Sequence, residues 1–404
     1  MRALLIVIPG LAERPLQALD GKTPLEAADH PALDALATRG RLGTVDLTVP
    51  GASPSAVTGL PALLGWEAAS LDLRRGPLEA AGLGVELAPD DLALRLNFVS
   101  TFEGALADTR AGHVSDREAE LLLEVLRSPD VLPSGWRLHA GAGYRHLLVI
   151  PGGALHSLET VAPHVVLGQP LAAHLPHGRD AMPLRQFIEA AWAKLRPHEV
   201  NRVRVDLGEN PADAVWPWGE GSACHLPRTA GPFGGNVAVV AAAPLVRGLA
   251  ALAGFVAPHV AGTTADERSD LAAKVPVAIG LAADHALTIV HAAAVNEASR
   301  SGDAKRKVAQ IERVDRELVA PLLAWVAAAP HERRLLVTSD HTTAVETRAS
   351  AGGPVPFGLW GAGLAGVRER RFTEASALAA DLQLASAGAL LGWFAKPIGR
   401  GAGA

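Results

Sequence analysis

Few residue patterns in this sequence point to chemistry by type and spacing alone. GAGLAG (361–366) matches a Gly-x-Gly-x-x-Gly phosphate-binding spacing. However, VRERRF follows it rather than a clear helix, and no opening strand–helix–strand unit surrounds it, so a glycine-rich turn is the better reading. Asp284, His285 and His291 are metal-ligand types. Lying in a buried strand and its approach, they read as hydrogen-bonded structural residues. Ser55 closes the turn-like SPS at 53–55, and an unactivated serine is a weak nucleophile. There is no Gly-x-Ser-x-Gly elbow, no Walker motif and no Cys-x-x-Cys pair. Cys224 is the single cysteine, so no intrachain disulfide can form and a buried, unreactive thiol is expected.

The elements that would position such residues follow from apolar patterning. Leu4–Ile8, Leu147–Ile150, Val237–Ala241, Leu287–His291 and Leu335–Thr338 are short apolar runs rich in branched residues, as in strands buried on both faces. Between them, Pro31–Arg39, Asp116–Arg127 and Asp303–Ala329 place apolar residues three and four apart, as in amphipathic helices. Alternating strands and helices predict an α/β fold with a mostly parallel sheet flanked by helices. The stretch from about 75 to 179 has more turns, including Gly152 and Gly153, and predicts an inserted smaller α+β domain. The expected division is therefore a core of 1–74 and 180–404 and an insert of 75–179. The glycine-rich end, GRGAGA, reads as disordered.

Composition narrows the function classes. With 404 residues, 49% hydrophobic and 20% charged, the chain can form two or three domains, or one large domain with an insertion. A net charge of -5 argues against nucleic-acid binding, which needs a concentrated basic surface. The opening MRALLIVIPG is too short an apolar run for a signal peptide, and Glu13 and Arg14 follow soon after it. No stretch reaches the roughly 18 apolar residues that span a bilayer. A cytoplasmic protein that meets neither membrane nor nucleic acid is expected.

Six segments, taken together and in order, carry a family resemblance. They are GKTPLEAADHPALDALATRG (21–40), RRGPLEAAGLGVEL (74–87), LRLNF (94–98) with DTRAG (108–112), NEASRSGD (296–303), VDRELVAPLL (314–323) and TSDHTTAVETRASAGGPVP (338–356). This series resembles the archaeal-type cofactor-independent phosphoglycerate mutases of the alkaline phosphatase superfamily. The resemblance implies an alkaline-phosphatase-like α/β core with an inserted cap domain, two divalent metals and a nucleophilic serine. That serine takes the phosphoryl group from one glycerate hydroxyl and returns it to the other. Paired ions neutralise phosphoryl oxygens and activate such a serine.

The resemblance also marks where this chain departs from the pattern. The family's first-strand Asp-Gly is Pro9-Gly10 here. Its nucleophile segment is SAVTGLPALLGW (55–66), which makes Ser55 the candidate serine, with Thr58 competing under another alignment. Its Asp-Glu-Ala-Gly/Ser-His reads Asn296-Glu297-Ala298-Ser299-Arg300, and its final histidine is Ser350. Asp340-His341 keeps the family's Asp-His pair. The metal held by the third motif and the last histidine should then be lost, with Arg300 supplying positive charge in its place. Asp340 and His341, with Ser55, remain as a half-site. Asn97, Arg110, Arg145, His164 and Asn201 fall where the resemblance places polar substrate-side groups. Arg247 stands where it places a phosphate-directed lysine.

These departures lead to the expectation of a divergent, phosphoglycerate-mutase-like protein without normal two-metal mutase activity, a pseudoenzyme. It would bind a small phosphorylated or carboxylated ligand through Asn97, Arg110, Arg145, His164, Arg247 and Arg300, or else a protein partner. It would carry no metal, or one weakly bound divalent ion. The alternative is an active mutase interconverting 3-phosphoglycerate and 2-phosphoglycerate through a phosphoserine, with two manganese, magnesium or zinc ions. Glu13 and Glu297 are the acidic residues that could substitute as ligands.

Overall fold

A computed structural model describes residues 1–404 apart from 68–69, 153–156, 367–368 and 397–404. The glycine-rich end and Gly153 therefore lie outside the described residues. The chain divides into two compact units, Met1–Asp72 with His225–Ala404, and Leu73–Cys224.

In chain order the strands are β1 (Arg2–Val7), β2 (Arg41–Asp46), β3 (Leu92–Phe102), β4 (Ala105–Asp108), β5 (Arg137–His139), β6 (Arg145–Ile150) and β7 (Ala214–Gly221). They continue as β8 (Val237–Val240), β9 (Leu287–His291), β10 (Arg333–Thr338), β11 (Thr342–Thr343), β12 (Ser350–Ala351), β13 (Pro354–Gly361) and β14 (Leu382–Leu384). The helices are α1 (Pro24–Ala27), α2 (Pro31–Arg39), α3 (Ala56–Leu63), α4 (Arg75–Gly82), α5 (Asp116–Leu126), α6 (Met182–Leu195) and α7 (Glu199–Asp206). After them come α8 (Pro244–Leu252), α9 (Lys274–Asp284), α10 (Ala294–Ser301), α11 (Ala304–Val314), α12 (Ala320–Ala327), α13 (Glu374–Leu378) and α14 (Ala387–Ala395).

The first unit is built on a sheet in the order β14-β2-β13-β10-β1-β9-β8. Its neighbours pair in parallel except where β13 runs against β10 and β2. Strand β1 sits in the middle, and its side chains from Ala3 to Val7 are fully buried. Each of its leucines and isoleucines contributes about 2 kcal/mol by leaving water. Both faces must therefore be covered, and the apolar faces of α2, α9, α11 and α12 pack into the same core cluster as β1.

The register of this sheet defines one edge. Val7 lies opposite His291 of β9 and Thr338 of β10. The segments leaving these three strands are Ile8-Pro9-Gly10, the start of α10, and Ser339-Asp340-His341. They emerge together at the carboxyl ends, where parallel α/β sheets generally place their sites.

The second unit is an antiparallel sheet ordered β4-β3-β6-β5, with β7 also on β3. Helices α5 and α6 supply the rest of its core. The apolar run 147–150 thus belongs to an antiparallel sheet here, not to the parallel core. This unit runs to Cys224 rather than to 179. Residues 180–224 stay with it because β7 pairs with β3 over Ala93–Val99 and α6 shares its core.

The expected long helix 303–329 is interrupted by a π turn at Asp315–Val319. Pro321 has no N–H to continue the ladder, so the turn before it widens. The interruption puts the Asp315 carboxylate under α2, where it accepts from the Ala32 and Leu33 amides at 3.0 and 2.8 Å. The residue before that helix, His30, gives it no side-chain cap.

Candidate functional site

In the first unit, the carboxyl edge of the sheet is drawn tight by two glycines. Gly10 has φ +71°, and a Cβ there would sit 3.1 Å from the Asn296 Cα and 3.3 Å from the Thr343 Cβ. Gly59, one turn into α3, lies against the main chain of Asp340, and a Cβ would meet that carbonyl oxygen at 2.0 Å. Glycine is what lets α3 approach the Asp340 loop, so Ser55 at the start of α3 and Asp340 belong to one wall.

Ser55 has extended backbone at the N-cap of α3. Thr58 is committed to the same turn. Its hydroxyl accepts from the Ser55 amide at 3.1 Å and stands 3.0 Å from the Ser55 carbonyl, to which it can donate. A threonine engaged in this way caps a helix.

Asp340 and His341 are buried, with carboxylate Oδ1 and imidazole Nδ1 2.7 Å apart. Their alignment is not that of a hydrogen bond. Both carboxylate oxygens and both ring nitrogens are left without hydrogen-bond partners, as is Nε2 of the neighbouring His291. Burial pushes His291 down to about 4, although the Asp340 charge pulls the other way. Lys274, on α9, donates to the His291 carbonyl at 2.7 Å, and burial lowers its ammonium to about 8.

The third-motif positions come together as well. Thr343 donates to the Asn296 carboxamide oxygen at 2.8 Å, and Thr343 faces Ser350 across the β11–β12 ladder. Arg300 Nη2 donates to the Ser350 hydroxyl at 3.0 Å, and Nη1 to the Arg348 carbonyl at 3.3 Å.

Glu13 and Glu297 were the acidic residues available as substitute ligands. Glu13 is spent elsewhere, pairing with the fully buried Lys307 at 3.2 Å and accepting from the Val345 amide at 2.8 Å. Lys307 also donates to the carbonyls of Ala12 and Thr343, so it ties the loop after β1 to the segment after β10. Glu297 is buried on α10.

A pair of divalent ions needs several carboxylate and imidazole donors converging on each ion. Among the described residues, no group of three or more His, Cys, Asp or Glu is gathered to hold one. Proline at 9 has no side-chain donor, Arg300 carries a positive charge, and the Asn296 oxygen already accepts a bond. The donor set does not fit a two-ion centre.

The second unit holds a cluster of arginines. Arg95, in the middle of β3, donates to Asn97 Oδ1 at 2.8 Å and to Glu79 at 2.9 Å. Arg75 donates to Glu79 at 3.0 Å and lies over the Trp218 ring at 4.8 Å, while Arg145 lies over Tyr144 at 4.5 Å. Burial would raise the Glu79 carboxyl, but Arg95, then Arg75 and Arg145, outweigh it and hold it below the usual range. Three guanidinium groups thus act on one carboxylate, a grouping of the kind that planar anions favour.

Among the expected substrate-side residues, Asn97 and Arg145 belong to this cluster, and the His164 ring stands edge-on to Trp218 at 5.8 Å. Arg110 has a buried Nη1 without a hydrogen-bond partner and its Nε 3.8 Å from Asp108. Asn201 does not fit a substrate role. Its amide is consumed by the backbone of Leu195 and Ala212. Arg247 lies on α8 of the first unit, apart from the arginine cluster in chain and unit.

Sequence reasoning missed Arg75, Arg95, Glu79 and Trp218. The signal was present, since a charged residue inside the apolar run Leu92–Val99 needs a buried partner.

Comparison with known proteins decides the relationship. A protein from Methanothermobacter thermautotrophicus named 2,3-bisphosphoglycerate-independent phosphoglycerate mutase 2 is 36% identical, covering 93% of this chain and 92% of that protein. The chain belongs to this family. The family model described as 2,3-bisphosphoglycerate-independent phosphoglycerate mutase matches residues 37–201. Among solved structures, a Pyrococcus horikoshii protein aligns over 100% of this chain and 99% of its own, with TM-score 0.74 and 25% identity. The cofactor-independent phosphoglycerate mutase from Thermoplasma acidophilum aligns over 98% and 99%, with TM-score 0.57 and 26% identity. Further archaeal relatives covering most of the chain carry the mutase name. These findings overturn the expectation of a ligand-binding or partner-binding protein without mutase activity, and favour the active mutase. The expectation failed because it equated the family's ion ligands with the activity itself.

Proposed function

We propose that this chain interconverts 3-phosphoglycerate and 2-phosphoglycerate through a phosphoserine on Ser55, acting in the cytoplasm. The observation that carries this reading is the near-full-length similarity, at 36% identity, to a protein named for the mutase reaction. Among the described residues, no helix is long and apolar enough to cross a membrane.

The local chemistry supports the same reading. Ser55 Oγ attacks the phosphorus of 3-phosphoglycerate, the Oγ–P bond forms and the bond from phosphorus to the C3 oxygen breaks. The Ser55 proton passes by way of the Asp340–His341 pair to the leaving C3 alkoxide. In the second half the C2 hydroxyl attacks phosphoserine, the Oγ–P bond breaks, and its proton returns to Ser55. The unengaged lone pairs of Asp340 and His341 on the same wall suit a proton relay. Within the second unit, Arg75, Arg95 and Arg145 are of the type that binds phosphate or carboxylate groups.

The test is turnover of 3-phosphoglycerate by the full chain coupled to enolase, with 2,3-bisphosphoglycerate omitted and divalent ions varied. Turnover that disappears in Ser55→Ala is the expected result. Absence of turnover in every ion condition, with a folded protein, overturns the reading.

A further inference from the structure

The mismatch between this donor set and a two-ion centre can be followed further at α10. Asn296 and Arg300 lie one turn apart on that helix, and Ser350 faces Thr343 on the β11–β12 ladder. Two hydrogen bonds and the ladder link them, Thr343 donating to Asn296 and Arg300 donating to Ser350. Each member is a weaker cation ligand than a carboxylate or an imidazole, or none at all. The Asn296 oxygen and the Ser350 hydroxyl are neutral and each already accepts one bond, and the guanidinium has no lone pair to give.

We propose that Arg300 is the resident cation of this half of the site, standing in for a divalent ion and meeting the phosphoryl oxygens of the substrate. The proposal rests on the mutase reading above. A guanidinium is always charged and presents planar donors that match phosphate oxygens. Here the side chain is held by the Ser350 hydroxyl and the Arg348 carbonyl, and it is half-buried, so its direction is set before substrate arrives.

A second cation, Lys274, donates to the His291 carbonyl, and His291 feels both Lys274 and Asp340. A dication placed beside Arg300 would meet like charge in a partly desolvated site. Turnover in this chain then depends on one divalent ion at most.

The experiment is a metal count joined to kinetics, on the full chain. Wild type, Arg300→Lys, Arg300→Met and the triple variant Asn296→Asp/Arg300→His/Ser350→His are incubated with manganese and dialysed, and bound metal is measured by elemental analysis. The expected result is no more than one equivalent in wild type and in both single variants, and one additional equivalent in the triple variant. Arg300→Met should lose about a hundredfold in kcat/KM for 3-phosphoglycerate, and Arg300→Lys about tenfold or less.

Two equivalents in wild type, or Arg300→Met turning over within threefold of wild type, overturns the proposal. If wild type shows no turnover, the mutase reading fails by itself, and the metal counts still decide the ion replacement. If the triple variant does not fold, the wild-type count and the two single variants decide it.

Discussion

At the scale of single residues, Ser55 and Thr58 compete for one role and local geometry separates them. Thr58 ties the first turn of α3 to Ser55 through amide and carbonyl contacts. A hydroxyl engaged there is poorly placed to take a phosphoryl group. Ser55→Ala is therefore expected to lower turnover by roughly a thousandfold or more, and to abolish the phosphorylated species seen by intact mass after mixing with 3-phosphoglycerate. Thr58→Val should leave phosphorylation in place and cost about 1 kcal/mol of stability, the usual value of a lost cap, read by urea melts. The reverse pattern would assign the nucleophile to Thr58. Gly59 supplies a matching control on the wall itself. Gly59→Ala drives a methyl into the Asp340 carbonyl, so it should destabilise by about 2 kcal/mol and lower turnover together.

At the scale of elements, the π turn between α11 and α12 shows how an interruption becomes useful. It presents the Asp315 carboxylate to the first amides of α2, which lacks its own side-chain cap. Asp315→Ala leaves those buried amides without acceptors and should cost about 2 kcal/mol, measured by urea denaturation, with KM for 3-phosphoglycerate unchanged. A loss under 0.5 kcal/mol would mean that water replaces the carboxylate. The sequence showed the helix itself through its apolar spacing, and Pro321 was visible within it. The π turn was not legible, because its cause is a missing N–H and its partner helix lies about 280 residues earlier. The same contrast holds elsewhere. Strand β9 was readable to the residue, since a buried parallel strand is a run of branched residues. The antiparallel partnership of β7 with β3 was not, because Ala214–Gly221 contains a proline and two glycines, which argue against a strand inside a sheet. At the site, the motif positions were legible by resemblance. What they do together was not, because the bond of Arg300 to Ser350 spans fifty residues.

At the scale of the whole molecule, the two compact units have separate cores, one around β1 and one around β3 with α5 and α6. Separate cores predict separate cooperative transitions, so calorimetry should give a calorimetric enthalpy exceeding the van't Hoff value. His146 provides a marker for the second unit. Burial, and then the Arg95 charge, push its imidazole down to about 3. Its ordinary value is 6.5, so between pH 6.5 and 3 the unfolded chain binds a proton that the folded chain refuses. The second unit should lose up to about 1.4 kcal/mol of stability per pH unit across that window from this one group. His146→Leu removes that contribution, so its second-unit transition should fall less steeply on acidification than in wild type. The transition of the first unit should keep its wild-type pH dependence in the same variant, because its own buried histidines, His30, His291 and His341, are untouched. If both transitions changed slope together, the two units would be unfolding as one, and the separation of their cores would not be a separation of their stabilities.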